Sequence, residues 1–276
     1  MTSTITPATS ATPATVGSAA TTARRGGDLR ILVHQIRYEQ LTFWRNPQAM
    51  IFTFIFPLAF MTIVGAVFRG GTSSEFFYGH TGLQYYTATI AALSVLGACY
   101  GQLAIALAMR RQTGVLKRVH ATPLPAWIYF AGLLAHCVLV SVIEVALIVG
   151  VGAAYRVPMP VSWGVLAVTL VLGAASFCAL GAGVSALVRN PEAAPAVVQF
   201  VQLPLLFLSG TYFPIHSSLL THVGDVLPVK PFNDAILAAF TTNAHLKWTE
   251  QGVLLAWGVA GAIVAVLRFR WDPRPE

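Results

Sequence analysis

The chain has 276 residues, 56% of them hydrophobic and only 10% charged, with a mean hydropathy of +0.69. Soluble domains carry about 25% charged residues, so an ordinary soluble globule is excluded, and at roughly 20 apolar residues per crossing there is room for about five to seven membrane helices and little else. The net charge of +7 and pI near 9.7 come from basic residues that sort by loop and do not gather on one face, which argues against a nucleic-acid partner.

Residues 1–23 are mostly Thr, Ala, Ser and Pro, with no charged side chain and no sustained apolar run. Such a segment cannot bury enough surface to offset its ordering entropy, so 1–27 is expected to be a disordered tail. It also lacks the basic start and apolar centre of a signal peptide. From Asp28, a candidate N-cap, to Arg45, the pattern predicts an amphipathic helix with Leu29, Leu32, Val33, Ile36 and Phe43 near one face. Arg30, His34, Arg37 and Glu39 fall mostly elsewhere. With Trp44 and Arg45 at headgroup level, this suits a helix lying in the cytoplasmic interface. Gln40 interrupts the stripe, which leaves a plain polar lead-in as the alternative.

Asn46-Pro47 closes that helix, and Pro47 suits the first position of the next. Six spans follow, at about 48–68, 84–109, 127–155, 162–188, 196–213 and 251–267. Pro57 predicts a kink in the first, and Gly97-Ala-Cys-Tyr-Gly101 in the second is a small-xxx-small pattern that permits close helix packing. Cys99, Cys137 and Cys178 lie inside apolar runs with no disulfide framework or zinc spacing, and read as small packing residues.

Six spans put both termini on one side, and the charges decide which. With the termini inside, Arg24, Arg25, Arg30, Arg37, Arg45, Arg110, Arg111, Lys117, Arg118, Arg189, Arg268, Arg270 and Arg274 are cytoplasmic. Only Arg69, Arg156, Lys230 and Lys247 remain outside, so the inside-positive bias is strong. The expected location is a bacterial plasma membrane, the abundance of Ala, Val and Arg being what a GC-rich genome supplies.

The outer segment from Pro214 to Glu250 is too apolar for a free loop, and reads as two short helices broken at Pro228 and Pro231. Neither is long enough to cross, so they are expected to dip into the outer leaflet or lie on it. Glu144 is the one acid well inside a span, where a carboxylate costs about 2.5 to 3.5 kcal/mol on insertion scales. With Gln199 and Gln202 of the fifth span it forms a candidate intramembrane polar site, serving either the cargo path, a proton relay or an interhelical hydrogen bond. His136, eight residues earlier, is about two turns away and out of direct reach. His216, His222 and His245 have no Cys or paired carboxylate at ligand spacing, so no metal site is expected; nor is there a catalytic Ser-His-Asp or His-Glu-x-x-His pattern. No Gly-x-x-x-x-Gly-Lys-Ser/Thr exists, so the chain has no phosphate-cradling loop and no nucleotide cofactor of its own.

The loop between the second and third spans, Met109 to Trp127, carries Arg110, Arg111, Lys117 and Arg118 and ends at Pro123 and Pro125. A short helix fits its middle, Gln112 to His120, stopped by the prolines. Arg111-Gln-Thr-Gly-Val-Leu-Lys-Arg-Val-His-Ala-Thr-Pro-Leu-Pro125 resembles the cytoplasmic loop of the ABC-2 family of exporter permeases, the family of the daunorubicin exporter's membrane subunit. Leu41-Thr-Phe-Trp-Arg-Asn-Pro47 is similar to that family's junction after an interfacial helix, and Leu208 to Ile215 with Leu227 to Phe232 resembles its outer re-entrant segment. Arg110, Arg111 and Gln112 stand where such permeases commonly have acidic residues.

The resemblance implies an all-α membrane protein with a transmembrane domain over 28–270 and a cytoplasmic tail over 271–276. It has six spans, an interfacial helix (Leu29, Leu32, Ile36, Phe43, Trp44) and re-entrant helices around Pro214, Pro228 and Pro231. It further implies a coupling helix, Arg111, Thr113, Gly114, Leu116, Lys117 and Arg118, that docks on a separate ATPase. Two ATPase copies would hold the ATP and Mg, beside a second permease copy in a homodimer or heterodimer among membrane lipids. The cargo would be an amphipathic drug, lipid or glycolipid, exported from the cytoplasm or inner leaflet. The alternatives are an ion-coupled secondary transporter using Glu144, or an intramembrane enzyme; no internal repeat and no intramembrane catalytic pair is visible for either. A tag on either terminus is expected to be shielded from impermeant reagents in intact cells, and labelling of both ends from outside would refute this topology.

Overall fold

A computed structural model describes residues 17–68, 76–188, 190–241 and 244–268, with side chains from Gly27 onward except Pro191. Of the expected tails over 1–27 and 271–276, residues 1–16 and 271–276 lie outside the described residues, whereas 17–27 form the start of the first helix. All regular structure described is helical. The first helix, α1 (Gly17–Trp44), starts eleven residues before Asp28, which is therefore an interior residue and not a cap. Asn46 then turns the chain: its side chain accepts from Ala49 N at 3.2 Å, and Pro47 opens α2 (Pro47–Met50).

The first crossing continues through a π-helical turn at Ile51–Ile55 into α3 (Phe56–Val67). Pro57 has no N–H to give the carbonyl four residues back, and the wider turn just before it absorbs the defect that reads in the sequence as a kink. The second crossing is α4 (Gly82–Leu96), a π-helical turn at Gly97–Gln102, and α5 (Leu103–Gln112). Thr81 caps it by accepting from Gln84 N at 3.2 Å. The predicted small-xxx-small segment is thus where the helix widens. Most of this crossing is buried inside the protein, against a small part of the first crossing and of the last, so it is the central post of the bundle.

A six-residue helix, α6 (Val115–His120), leads to α7 (Ala126–Ala154), and Ser162 caps α8 (Trp163–Leu187) through Val165 N at 3.3 Å. These bounds lie close to the predicted third and fourth spans. The fifth helix does not: α9 is only Ala194–Leu208, 15 residues. That is about 22 Å of helix, short of a hydrocarbon core of roughly 30 Å. It ends because Gly210 turns left-handed, with φ of 74°.

Two shorter helices follow, α10 (Ser218–Val226) and α11 (Val229–Ala238). Pro228 separates them as expected, whereas Pro231 sits in the first turn of α11, where an N–H would have no helical partner. Burial holds α11 to the bundle. Phe232 and Ile236 are fully buried, Phe232 meets Phe177 edge-on at 5.1 Å, and Gly173 leaves the room its ring occupies. At the same end Gln84 Nε2 donates to Phe240 O at 3.1 Å and Val161 N to Ala239 O at 2.9 Å.

The last helix, α12 (Trp248–Arg268), packs along α8 on a seam of small residues. A Cβ placed on Gly261 would lie 2.6 Å from Leu180 N, and one on Gly183 would lie 2.8 Å from Gly261 O. Both obstacles are backbone, so neither can swing aside. Overpacking of this kind costs about 1–3 kcal/mol, and Gly261→Val should lower the melting temperature in detergent. Gly252→Ala on the same helix, where a Cβ meets nothing within 4 Å, should not.

Candidate functional site

Two places gather polar side chains: the hairpin joining α5 to α7 at one end of the bundle, and a cleft within it. The hairpin is anchored by its arginines. Arg111 is buried, 2% exposed, with Nη1 donating to Ser185 O at 3.1 Å and Nη2 to Val188 O at 2.5 Å. It satisfies carbonyls at the C-terminal end of α8, where a cation also meets the negative end of the helix dipole. The guanidinium expected on the docking surface is therefore turned inward.

Arg110 points to a different neighbour. Its Nη1 and Nη2 donate to Glu39 Oε1 and Oε2 at 2.9 and 2.6 Å, and Nη1 also reaches Tyr129 OH at 3.1 Å. Gln35 adds a bond to Glu39 Oε1 at 3.0 Å. A bidentate fork of this kind fixes orientation as well as distance, and here it ties α1, α5 and α7 together. Sequence reasoning placed Glu39 away from the stripe. In the structure Leu32, Gln35, Ile36, Glu39 and Phe43 form the inward face, with Glu39 only 2% exposed, while Leu29, Val33, Leu41 and Trp44 face outward. Spacing of 32, 36, 39 and 43 was the available signal. Trp44 stacks on Phe54 at 5.6 Å, closing the α1 junction against the first crossing.

Thr113 ends α5, its hydroxyl donating to Met109 O at 3.0 Å, and Gly114 takes φ of 71°, a left-handed turn that suits glycine. Leu116 is fully buried beneath α6, so among the predicted coupling residues it is a foundation and not a contact. Gln112, Thr113, Lys117, Arg118 and His120 are exposed on the outer side of the hairpin.

The cleft lies where the two π-helical turns face each other, with a volume of about 220 Å³. Gln102 Nε2 donates to Thr53 Oγ1 across it, joining the two crossings. Glu144, Gln199 and Gln202, grouped in the sequence as one candidate polar site across the third and fifth spans, line it together with Ser94. Gln202 is buried and Gln199 exposed. Gly101 permits this approach, since a Cβ there would come within 3.2 Å of Gln202 Oε1. Glu144 is 3% exposed, and its Oε2 has no hydrogen-bond partner. A second cleft of about 170 Å³, lined by Glu39, Phe43, Arg110 and His136, adjoins it through Ala98 and Gln102. The cysteines, far apart in sequence, have sulfurs within 4.8 Å of one another, all buried. At the far end Lys230 pairs with Asp225 and, at 3.1 Å, with Asp234.

Residues 32–241, most of this architecture, match the sequence profile of the ABC-2 type transporter. The chain belongs to the ABC-2 type transporter family. It is similar to the probable multidrug ABC transporter permease YbhR of Escherichia coli K12, at 23% identity over 171 residues, covering 60% of this chain and 46% of that protein. It is also similar to the putative transport permease YvfS of Bacillus subtilis 168, at 22% identity over 233 residues, covering 83% of this chain and 93% of that one. The match thus spans about half the length of YbhR and nearly all of YvfS. The family expected from the 111–125 loop is the one found, and with five of the described helices long and apolar enough to cross a membrane, this member of it is a multi-pass membrane protein.

Removing one partner of a buried ion pair leaves an uncompensated charge, at about 3–5 kcal/mol. Glu39→Gln and Arg110→Met should each lower the melting temperature of the ABC-2 permease in detergent, while the double variant should fall by less than the sum. Strict additivity would mean that the pair does not hold α1 to the bundle.

Proposed function

We propose that this chain is the permease subunit of an ATP-driven exporter in a bacterial plasma membrane, with both termini cytoplasmic. Two copies, or one with a related chain, would work with two separate ATPase subunits that bind and hydrolyse the ATP with Mg. The cargo would be an amphipathic drug, lipid or glycolipid leaving the cytoplasm or inner leaflet. The observation that carries this reading is the hairpin: an exposed, cationic α6 standing on buried Leu116 and Arg111, in a chain with no phosphate loop.

On this reading, a push on α6 goes two ways. Through Arg111 it reaches the end of α8, and through Arg110 and Glu39 it reaches α1. Successive helical residues point about 100° apart, so one short segment engages both neighbours. The exposed face that receives the push comprises Thr113, Lys117 and Arg118, with Gly114 setting its angle. The outer segment around Pro214, Pro228 and Pro231 would close the opposite end of the path.

Glu144 is the observation that favours an ion-coupled transporter instead, and the two readings separate on one requirement. Arg118→Glu, which changes an exposed side chain, should abolish copurification with the ATPase or its coupled transport, with the permease still present in the membrane. Leu116→Asp would not test docking, because it places a charge in the packing under α6. Unchanged coupling in Arg118→Glu would count against the docking face, and transport by the purified permease without any ATPase would overturn the exporter reading.

A further inference from the structure

We propose that the cleft at the two π-helical turns binds an organic monocation, the ammonium end of an amphipathic cargo, through Glu144 with Phe52 and Phe56. The proposal deepens the exporter reading and rests on it for the word cargo; the binding itself does not require the ATPase. Three observations converge on it. Glu144 is nearly completely buried and lines the cleft, yet Oε2 has no partner. None of the residues lining the cleft is basic, so no side chain of its wall neutralises that carboxylate. Burial disfavours the charged form of a lone carboxyl, so a cation that reaches it, by pairing with that charge, is strongly favoured over a neutral group.

The wall supplies the second element of cation recognition. Phe52 and Phe56, one helical turn apart, both line the cleft and are 65% and 61% exposed, so their rings are available as π faces. Gln102, Gln199 and Gln202 add amides whose carbonyl oxygens suit an ammonium N–H, and Thr53 and Ser94 add hydroxyl oxygens.

Size limits the ligand. A volume of about 220 Å³ is below the usual range for a whole drug-sized molecule. It accommodates a methylated or primary ammonium head, with the apolar remainder lying along the exposed face of α3 and α9. A neutral or anionic head would leave Glu144 unpaired or repelled. The site therefore selects cations among amphipathic cargoes.

The test uses the purified permease alone, in phosphatidylcholine nanodiscs with empty discs as the blank, so that lipid charge does not concentrate the probe. The probe is benzyltrimethylammonium, and its comparison is neopentylbenzene, in which carbon replaces the charged nitrogen at nearly unchanged shape. Saturable binding of the cation, with no competition from the neutral isostere, is expected. Glu144→Gln should weaken it by about tenfold and Phe52→Leu by about threefold, both at unchanged melting temperature. Equal competition by the isostere, or unchanged affinity in Glu144→Gln, overturns the proposal. Should Glu144→Gln fail to fold, the two probes on the unmodified protein decide it. No cation binding by the unmodified permease, with ATPase association intact, sinks this inference alone, whereas intact cation binding with no ATPase association sinks only the docking reading.

Discussion

Two consecutive arginines pointing to opposite neighbours hold the α5–α7 hairpin of this protein to the bundle. Arg110 binds Glu39 of α1 in a bidentate pair, and Arg111 fills the C-terminal end of α8. Arg111 is buried and Arg110 only partly exposed, and each is compensated, as burial demands. The short helix α6 therefore follows a segment fixed on two sides, to α1 and to α8. Without these pairs, a six-residue helix has little internal stability, since isolated helices shorter than ~12 residues are marginal in water.

This arrangement explains why charge counting alone does not separate the inward from the outward basic residues of the hairpin. On a continuous helix, Arg111 and Arg118 would be seven residues apart and share a face. The left-handed turn at Gly114 breaks that register, so Arg111 goes inward while Arg118 stays outside. Likewise, Glu39 was legible only as a charge, and charges are normally assigned to the wet face of an amphipathic helix. Its partner lies 71 residues away, and no local pattern reports such a partner. Long apolar runs with clear flanks were read well: α7 after Pro125, α8 after Ser162. The fifth span was overestimated because Tyr212 and Phe213 extend its apolar character past Leu208, and hydropathy does not register that Gly210 turns left-handed.

The close contacts between α8 and its neighbours were also hidden. A Cβ on Gly181 would come within 2.8 Å of Tyr100 O, and Gly183 and Gly261 come equally close across the α8 and α12 seam. In lipid there is little hydrophobic force between helices, so association depends on such close packing. The sequence shows small residues, but only the packed structure shows which of them meet a backbone. The recognised Gly97 to Gly101 pattern is a case in point. Its second glycine admits a glutamine side chain, Gln202, and its first meets nothing within 4 Å, so the pattern marks a widened turn and not a simple helix crossing.

That widened turn bears on how the polar cleft should be understood. A π-helical turn disturbs the regular backbone ladder, and in a solvent without hydrogen-bonding capacity, groups released by such a disturbance have to be satisfied within the protein. Polar side chains near two facing turns are thus required on structural grounds alone, and the bond from Gln102 to Thr53 fits that purpose. Glu144 does not fit it as simply, because a purely structural group would be expected to use both oxygens. An unpartnered atom is not decisive by itself: Gln251 Oε1 is also without a partner, in a residue whose amide nitrogen donates to Thr169 at 2.8 Å in the packed contact of α12 with α8. The difference lies in charge and access. Gln251 is neutral and held in a helix contact, whereas Glu144 is ionisable and borders open volume beside two exposed aromatic rings. That combination is costly for a structural device and useful for a ligand site, which is why the carboxylate is better explained by what enters the cleft than by what surrounds it.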